Sequence, residues 1–260
     1  MCPPGTGDSV RCVNSTAETQ WVPRAQRGVV RHAPRQYGTS VHGASLNVFG
    51  PTTGLADLLV MASMHGDECE STVVLSEALR SVPEEHLATP VILNVNPDGT
   101  VLGTRANARG VDLNRNWPTA NWSADPVHYK AHGETVRDIE LSPGARPASE
   151  PETQALLDLV RELRPAAIVS LHAPLGCVED PDQGPLARWI GEEVGLPLVP
   201  DVGYLTPGSF GTWSIEQGIN IITWELPPEP IPALLASHAP VLRRLLTGDY
   251  PRAQDRRRTS

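Results

Sequence analysis

Apolar and polar positions fall into blocks along the 260 residues, and the blocks change period. Leu55–Ser63, Val91–Val95, Ala166–Leu171 and Ile219–Trp224 are short, nearly continuous apolar runs, the mark of strands buried on both faces. Between them the period shifts to that of a helix over Cys69–Val82, Pro185–Val194 and Ile231–Leu246. A further helix is predicted after Ala148. Ser149 and Glu152 have capping-box spacing there, and Leu156, Leu159, Val160 and Leu163 recur at i, i+3, i+4, i+7, with Pro165 as the stop. Tyr37–Phe49 alternates weakly around His42-Gly43 and predicts a hairpin. Asn96-Pro97-Asp98-Gly99 reads as a turn, and Thr100–Ala148 as a long polar stretch without period, a length usually kept for function.

Strands alternating with helices imply an α/β fold whose largely parallel sheet is covered on both faces. The expected organisation is an N-terminal arm over 1–36, a single catalytic domain over 37–250 and a basic tail over 251–260.

Composition narrows the classes. The net charge of −9, with dispersed arginines, excludes nucleic acid as a partner, and no apolar run is long enough to span a bilayer, so no membrane partner is expected. Arg256-Arg257-Arg258 is too short a run to change this. The start of the chain has no apolar leader run, which predicts a cytoplasmic protein. Cys2, Cys12, Cys69 and Cys177 lack metal-knot spacing and are read as reduced thiols.

In a parallel sheet, chemistry gathers at the carboxyl ends of the strands. His65-Gly66-Asp67-Glu68 follows the first apolar strand, His172 follows the third and Glu225 the fourth. A strand-end histidine such as His172 can also be a hydrogen-bonded structural residue. Paired with His65 and Glu68, however, it completes the two-His, one-Glu ligand set of a zinc hydrolase with an open fourth position. Glu225 stands among apolar residues in Thr223-Trp224-Glu225-Leu226-Pro227, where desolvation raises a carboxyl towards the range a general base needs. A buried salt bridge is the alternative reading of that residue.

The segment Asn96-Pro97-Asp98-Gly99, Arg105 and Val111-Asp112-Leu113-Asn114-Arg115-Asn116-Trp117-Pro118, taken in order with His65/Glu68, His172 and Glu225, resembles the M14 zinc carboxypeptidases. Ser149–Leu156, Cys177–Pro181 and Val202–Gly211 are similar to the murein tripeptide amidase branch. The resemblance implies a mixed, mostly parallel sheet with helices on both faces and one zinc ion on His65, Glu68 and His172. It implies hydrolysis of the γ-D-glutamyl–meso-diaminopimelate bond of recycled cell-wall peptide, with Glu225 as general base to a zinc-activated water.

By the same resemblance Arg105, rather than Arg109, stabilises the oxyanion, Asp112 orients His65, and Asn114 and Arg115 hold the substrate carboxylate. Tyr204 closes over substrate as a mobile tyrosine. Glu179 and Asp180 are candidates to read the second head of diaminopimelate, with a surface acidic turn as the equal alternative. Three positions depart from the pattern: Ala173 where an acid is expected, Arg109-Gly110 for Asn-Gly, and Trp117 for Phe. His128 and His132 are expected to be exposed and not ligands. The expected partner is a small murein-tripeptide-like peptide, and a homodimer stays open. An ordinary metallocarboxypeptidase, an N-acyl amino-acid deacylase of the aspartoacylase type and a non-catalytic peptide-binding scaffold are the alternatives.

Overall fold

The structure is a computed structural model that describes residues 28–131 and 137–252. Most of the arm, His132 and the basic run at 256–258 lie outside the described residues. Two strands, β1 (Pro34–Thr39) and β2 (Ser45–Phe49), form the expected hairpin around Gly43, whose φ of 87° the turn requires. β1 begins ahead of Tyr37. Val30 already packs on the core, and buried His32 bonds the carbonyl of Val82 through Nε2 at 3.0 Å.

The main sheet adds β3 (Leu58–Ala62), β4 (Val91–Ile92), β7 (Ala167–His172), β8 (Cys177–Glu179), β9 (Leu198–Val199) and β10 (Asn220–Glu225). Its order is β1-β2-β4-β3-β7-β10-β8-β9. The central strands β4, β3, β7 and β10 run parallel, while β1/β2, β2/β4 and β10/β8 are antiparallel joins.

Side chains alternate across this sheet, and both faces are dry. Leu58, Val60 and Ala62 of β3, Val169 and Leu171 of β7 and Ile222 and Trp224 of β10 share one core with α1 (Cys69–Ser81), α4 (Pro185–Val194) and α6 (Ile231–Leu246). Leu59, Met61, Ile168 and Ile221 face a second core with α3 (Pro151–Leu163) and α5 (Phe210–Glu216). Continuous apolar runs are what two buried faces demand. Among the described residues no helix is long and apolar enough to cross a membrane.

Three local expectations are corrected. The Asn96–Gly99 turn is the start of a helix, α2 (Pro97–Leu102). Asn96 caps it by accepting from Gly99 N at 3.0 Å, and Pro97 sits where no N–H is needed. The capping box before α3 does not form. Ser149 Oγ donates to Glu150 at 2.8 Å, while Glu152 is buried and accepts from Val41 N and Asn107 Nδ2. The Thr100–Ala148 stretch also holds a 3-10 turn at Leu113–Arg115 and a separate hairpin, β5 (Val127–Ala131) with β6 (Arg137–Leu141).

Gly66 is required by close approach. A Cβ there would drive into the backbone of Gly99 and Thr100, against which the His65–Glu68 loop is laid, and Gly66 N donates to Arg105 O at 3.2 Å. Gly66→Ala is expected to cost about 1–3 kcal/mol of unfolding free energy in urea denaturation, the range for overpacking a site that cannot yield. Unchanged stability would show that the two loops do not depend on this contact.

Candidate active site

β3, β7 and β10 are adjacent and parallel, so their carboxyl ends open on one edge. His65 lies just beyond β3, Glu68 precedes α1, and His172 closes β7. Glu225 closes β10 in register with His172. His65 Nδ1 lies 2.7 Å from Glu68 Oε1, His172 Nδ1 lies 2.9 Å from Glu68 Oε2, and the two Nδ1 atoms are 3.2 Å apart. All three side chains are buried.

Two nitrogen lone pairs and a carboxylate aimed at one point fit a cation. Ligand bonds of about 2.0–2.2 Å in a tetrahedron put donors ~3.4 Å apart, so these three, at 2.7–3.2 Å, need only spread by a few tenths of an ångström to surround an ion. Burial opposes ionisation of Glu68, but the imidazoles of His65 and His172 override it and hold the carboxyl well below the usual range. Glu68 is therefore ionised where a divalent ion needs a carboxylate.

Asp112, with no solvent exposure, stands behind this cluster. Its Oδ1 accepts from Asn114 N at 2.8 Å and lies 3.4 Å from His65 Nε2; its Oδ2 accepts from Arg105 Nε at 3.1 Å. Burial works against its charge, and Arg105 and His65 prevail, holding the carboxyl well below its ordinary value. Arg105 also donates through Nη1 to Glu68 at 3.2 Å. Arg109, by contrast, is solvent-exposed and pairs with Glu150 at 3.5 Å. Of the two arginines, only Arg105 enters the site.

A cavity of about 690 Å³ collects the remaining candidates. Arg115 is buried on its wall, donating through Nη1 to Asn114 O at 2.7 Å. Asn114 Oδ1 accepts from Phe210 N at 2.9 Å, which leaves the amide's NH2 as its offer to a ligand. Under this pair Trp117 packs against Phe210 and Trp213, so tryptophan fills the place where phenylalanine is expected. Glu225 is buried, accepts from Leu175 N at 3.3 Å, and has its carboxyl pushed up by burial although His172 opposes the shift. Tyr204 lines the cavity from the loop between β9 and α5 with its side chain largely exposed.

The two acids proposed for the second head separate. Glu179 lines the cavity. Asp180 does not: it is fully buried and accepts from Asp182 N at 3.0 Å and Gly184 N at 2.8 Å, which fixes the turn before α4. Where an acid is expected after His172, Ala173 supplies its backbone N–H to Glu68 Oε2 at 3.3 Å. His128 is exposed on the cavity wall and is not part of the donor cluster. Tyr129, not anticipated from sequence, lies with its ring centroid 4.4 Å from the Arg105 guanidinium carbon. The only signal was an aromatic residue two positions from Val127 in a polar stretch.

Residues 33–174 match the family described as zinc carboxypeptidase. Murein peptide amidase A of Escherichia coli (strain K12) is 47% identical over 208 residues, covering 79% of this chain and 86% of that protein. Murein peptide amidase A of Vibrio campbellii is 43% identical over 238 residues, covering 91% and 96%. Among solved structures, the murein-tripeptide amidase from Escherichia coli O157 superposes with a TM-score of 0.84 at 42% identity, over 88% of this chain and 97% of that one. Carboxypeptidase A from Helicoverpa armigera, at 17% identity, shares the fold with a TM-score of 0.62 over 84% and 68%.

Asp180→Ala strands two amides and is expected to lose about 1–3 kcal/mol of unfolding free energy, while Glu179→Ala stays within about 0.5 kcal/mol. Urea denaturation of both variants checks this; equal losses would contradict the division of labour between the two acids.

Proposed function

This chain belongs to the zinc carboxypeptidase family, and from that premise we propose that it is a zinc amidase of murein peptides that cuts the γ-D-glutamyl–meso-diaminopimelate bond. The observation that carries the reading is the likeness, over most of both chains, to relatives bearing the murein amidase name. The cavity supports it. Buried Arg115 and half-buried Asn114 suit the free carboxylate beside the scissile bond, and Glu179 suits the ammonium of a second amino-acid head.

His65, Glu68 and His172 hold zinc, which when bound supplies a Lewis acid that polarises the carbonyl and eases deprotonation of water. Glu225 takes one proton from the attacking water on a carboxylate oxygen and returns it to the departing diaminopimelate nitrogen as the C–N bond breaks. Its buried setting raises the carboxyl towards the pH at which it can do both. Arg105 faces the developing oxyanion with a charge that needs no proton transfer. Tyr204 covers the bound peptide. The same proposal takes the cytoplasm as the compartment, where recycled peptide would be met and where Cys69 and Cys177, both free of disulfides, would stay reduced.

Incubation with L-Ala-γ-D-Glu-meso-diaminopimelate is expected to release free diaminopimelate, to stop with chelator and to resume with zinc. Cleavage of simple N-acyl amino acids without that release would overturn the assignment. Glu225→Gln is expected to keep zinc and lose turnover by about 10²–10⁴-fold, and His172→Ala to lose both zinc and turnover. Near-normal kcat in Glu225→Gln would remove Glu225 from the mechanism. Glu179→Ala is expected to raise KM for the diaminopimelate substrate with kcat held; an unchanged KM would reject its role.

A further inference from the structure

Arg105 rises from a segment of turns between α2 and Leu113, its carbonyl held by Gly66 N at 3.2 Å and Asn96 Nδ2 at 3.3 Å, so the setting of its long side chain is left to what the guanidinium touches. Two edges of the guanidinium are tied, Nε to Asp112 and Nη1 to Glu68. Neither bond fixes the plane against tilting, and a guanidinium has donors left over to seek other partners. The face is covered by Tyr129, at 4.4 Å, a distance at which a cation is attracted to an aromatic ring.

Tyr129 reaches that place on a hairpin that belongs to no other sheet. The hairpin is keyed to the site at its base. Beyond β6, Ser142 O accepts from Asp112 N at 2.9 Å and Ser142 N donates to Gly110 O at 3.1 Å. The residue that carries the ring and the residue that holds Arg105 by its edge are thus referenced to one backbone segment. Val127 and Tyr129 also line the cavity, so bound substrate would press on the same wall.

We infer that Tyr129 is a positioning residue that holds the Arg105 guanidinium flat for the oxyanion, which makes the β5–β6 hairpin a working part of the active site. The inference rests on the reading of Arg105 given above. The aromatic face acts on Arg105, while the hydroxyl reaches Asp67 and not the guanidinium.

Tyr129→Phe and Tyr129→Leu separate ring from hydroxyl. On the murein tripeptide, Tyr129→Leu is expected to lower kcat about ten-fold with KM within about two-fold, and Tyr129→Phe to match the native chain. Zinc content and Tm are expected to stay unchanged in both. Equal kcat in Tyr129→Leu, an equal loss in both variants, or a change confined to KM would overturn the inference. Independently of turnover, the Arg105 Nε–H resonance, identified by its absence in Arg105→Lys, is expected upfield in the native chain and in Tyr129→Phe and displaced in Tyr129→Leu. A resonance that ignores Tyr129→Leu would also overturn it. Failure of the native chain to release diaminopimelate would count against the proposed substrate, and the resonance would still decide whether Tyr129 holds Arg105.

Discussion

A single negative charge with no access to solvent organises the site. Asp112 is fully buried, and an ion taken from water is costly unless its partners are close and well aimed. Its two oxygens are answered by the Asn114 amide, Arg105 Nε and the His65 ring. Each answer has a consequence. The bond to Asn114 starts the 3-10 turn that carries Asn114 and Arg115 to the cavity wall. The pairing with Arg105 draws that arginine inward beside Glu68. The approach to His65 Nε2 turns Nδ1 towards Glu68 and His172, the orientation a ligand histidine takes when its other nitrogen meets a carboxylate.

The sheet provides what a loop alone could not, a rigid spacing between groups from distant parts of the chain. His172 and Glu225 stand on paired residues of adjacent parallel strands, and the strands are clamped by apolar cores on both faces. Sites supported in this way hold their geometry better than sites on loops. The Tyr204 loop and the β5 and β6 strands approach from outside that frame.

The legible part of the sequence was the part with a period. The limits of α4 and α6 and the strand-end positions of His65, His172 and Glu225 follow from apolar runs whose burial on two faces leaves no other reading. The illegible part was where a polar side chain chooses between local and distant partners. Glu152 has the spacing to cap its own helix, yet it is buried against Val41 and Asn107, residues far away in sequence. Asp180 looks like a surface acid beside Glu179, and only the fold shows it folded back on the Asp182 and Gly184 amides. Tyr129 gave no signal beyond its aromatic ring because the hairpin that carries it is short and polar, and its partner Arg105 is brought near by tertiary structure alone.

If the buried charge of Asp112 is what orders the proposed metal ligands, removing the charge while keeping the shape must weaken the metal. The direct measurement is the equilibrium zinc affinity of Asp112→Asn, by competition against a chromophoric chelator at fixed pH. The account predicts a loss of about 10–100-fold in affinity, the usual consequence of removing the carboxylate behind a ligand histidine. A folded Asp112→Asn chain that binds zinc as tightly as the native protein would contradict it.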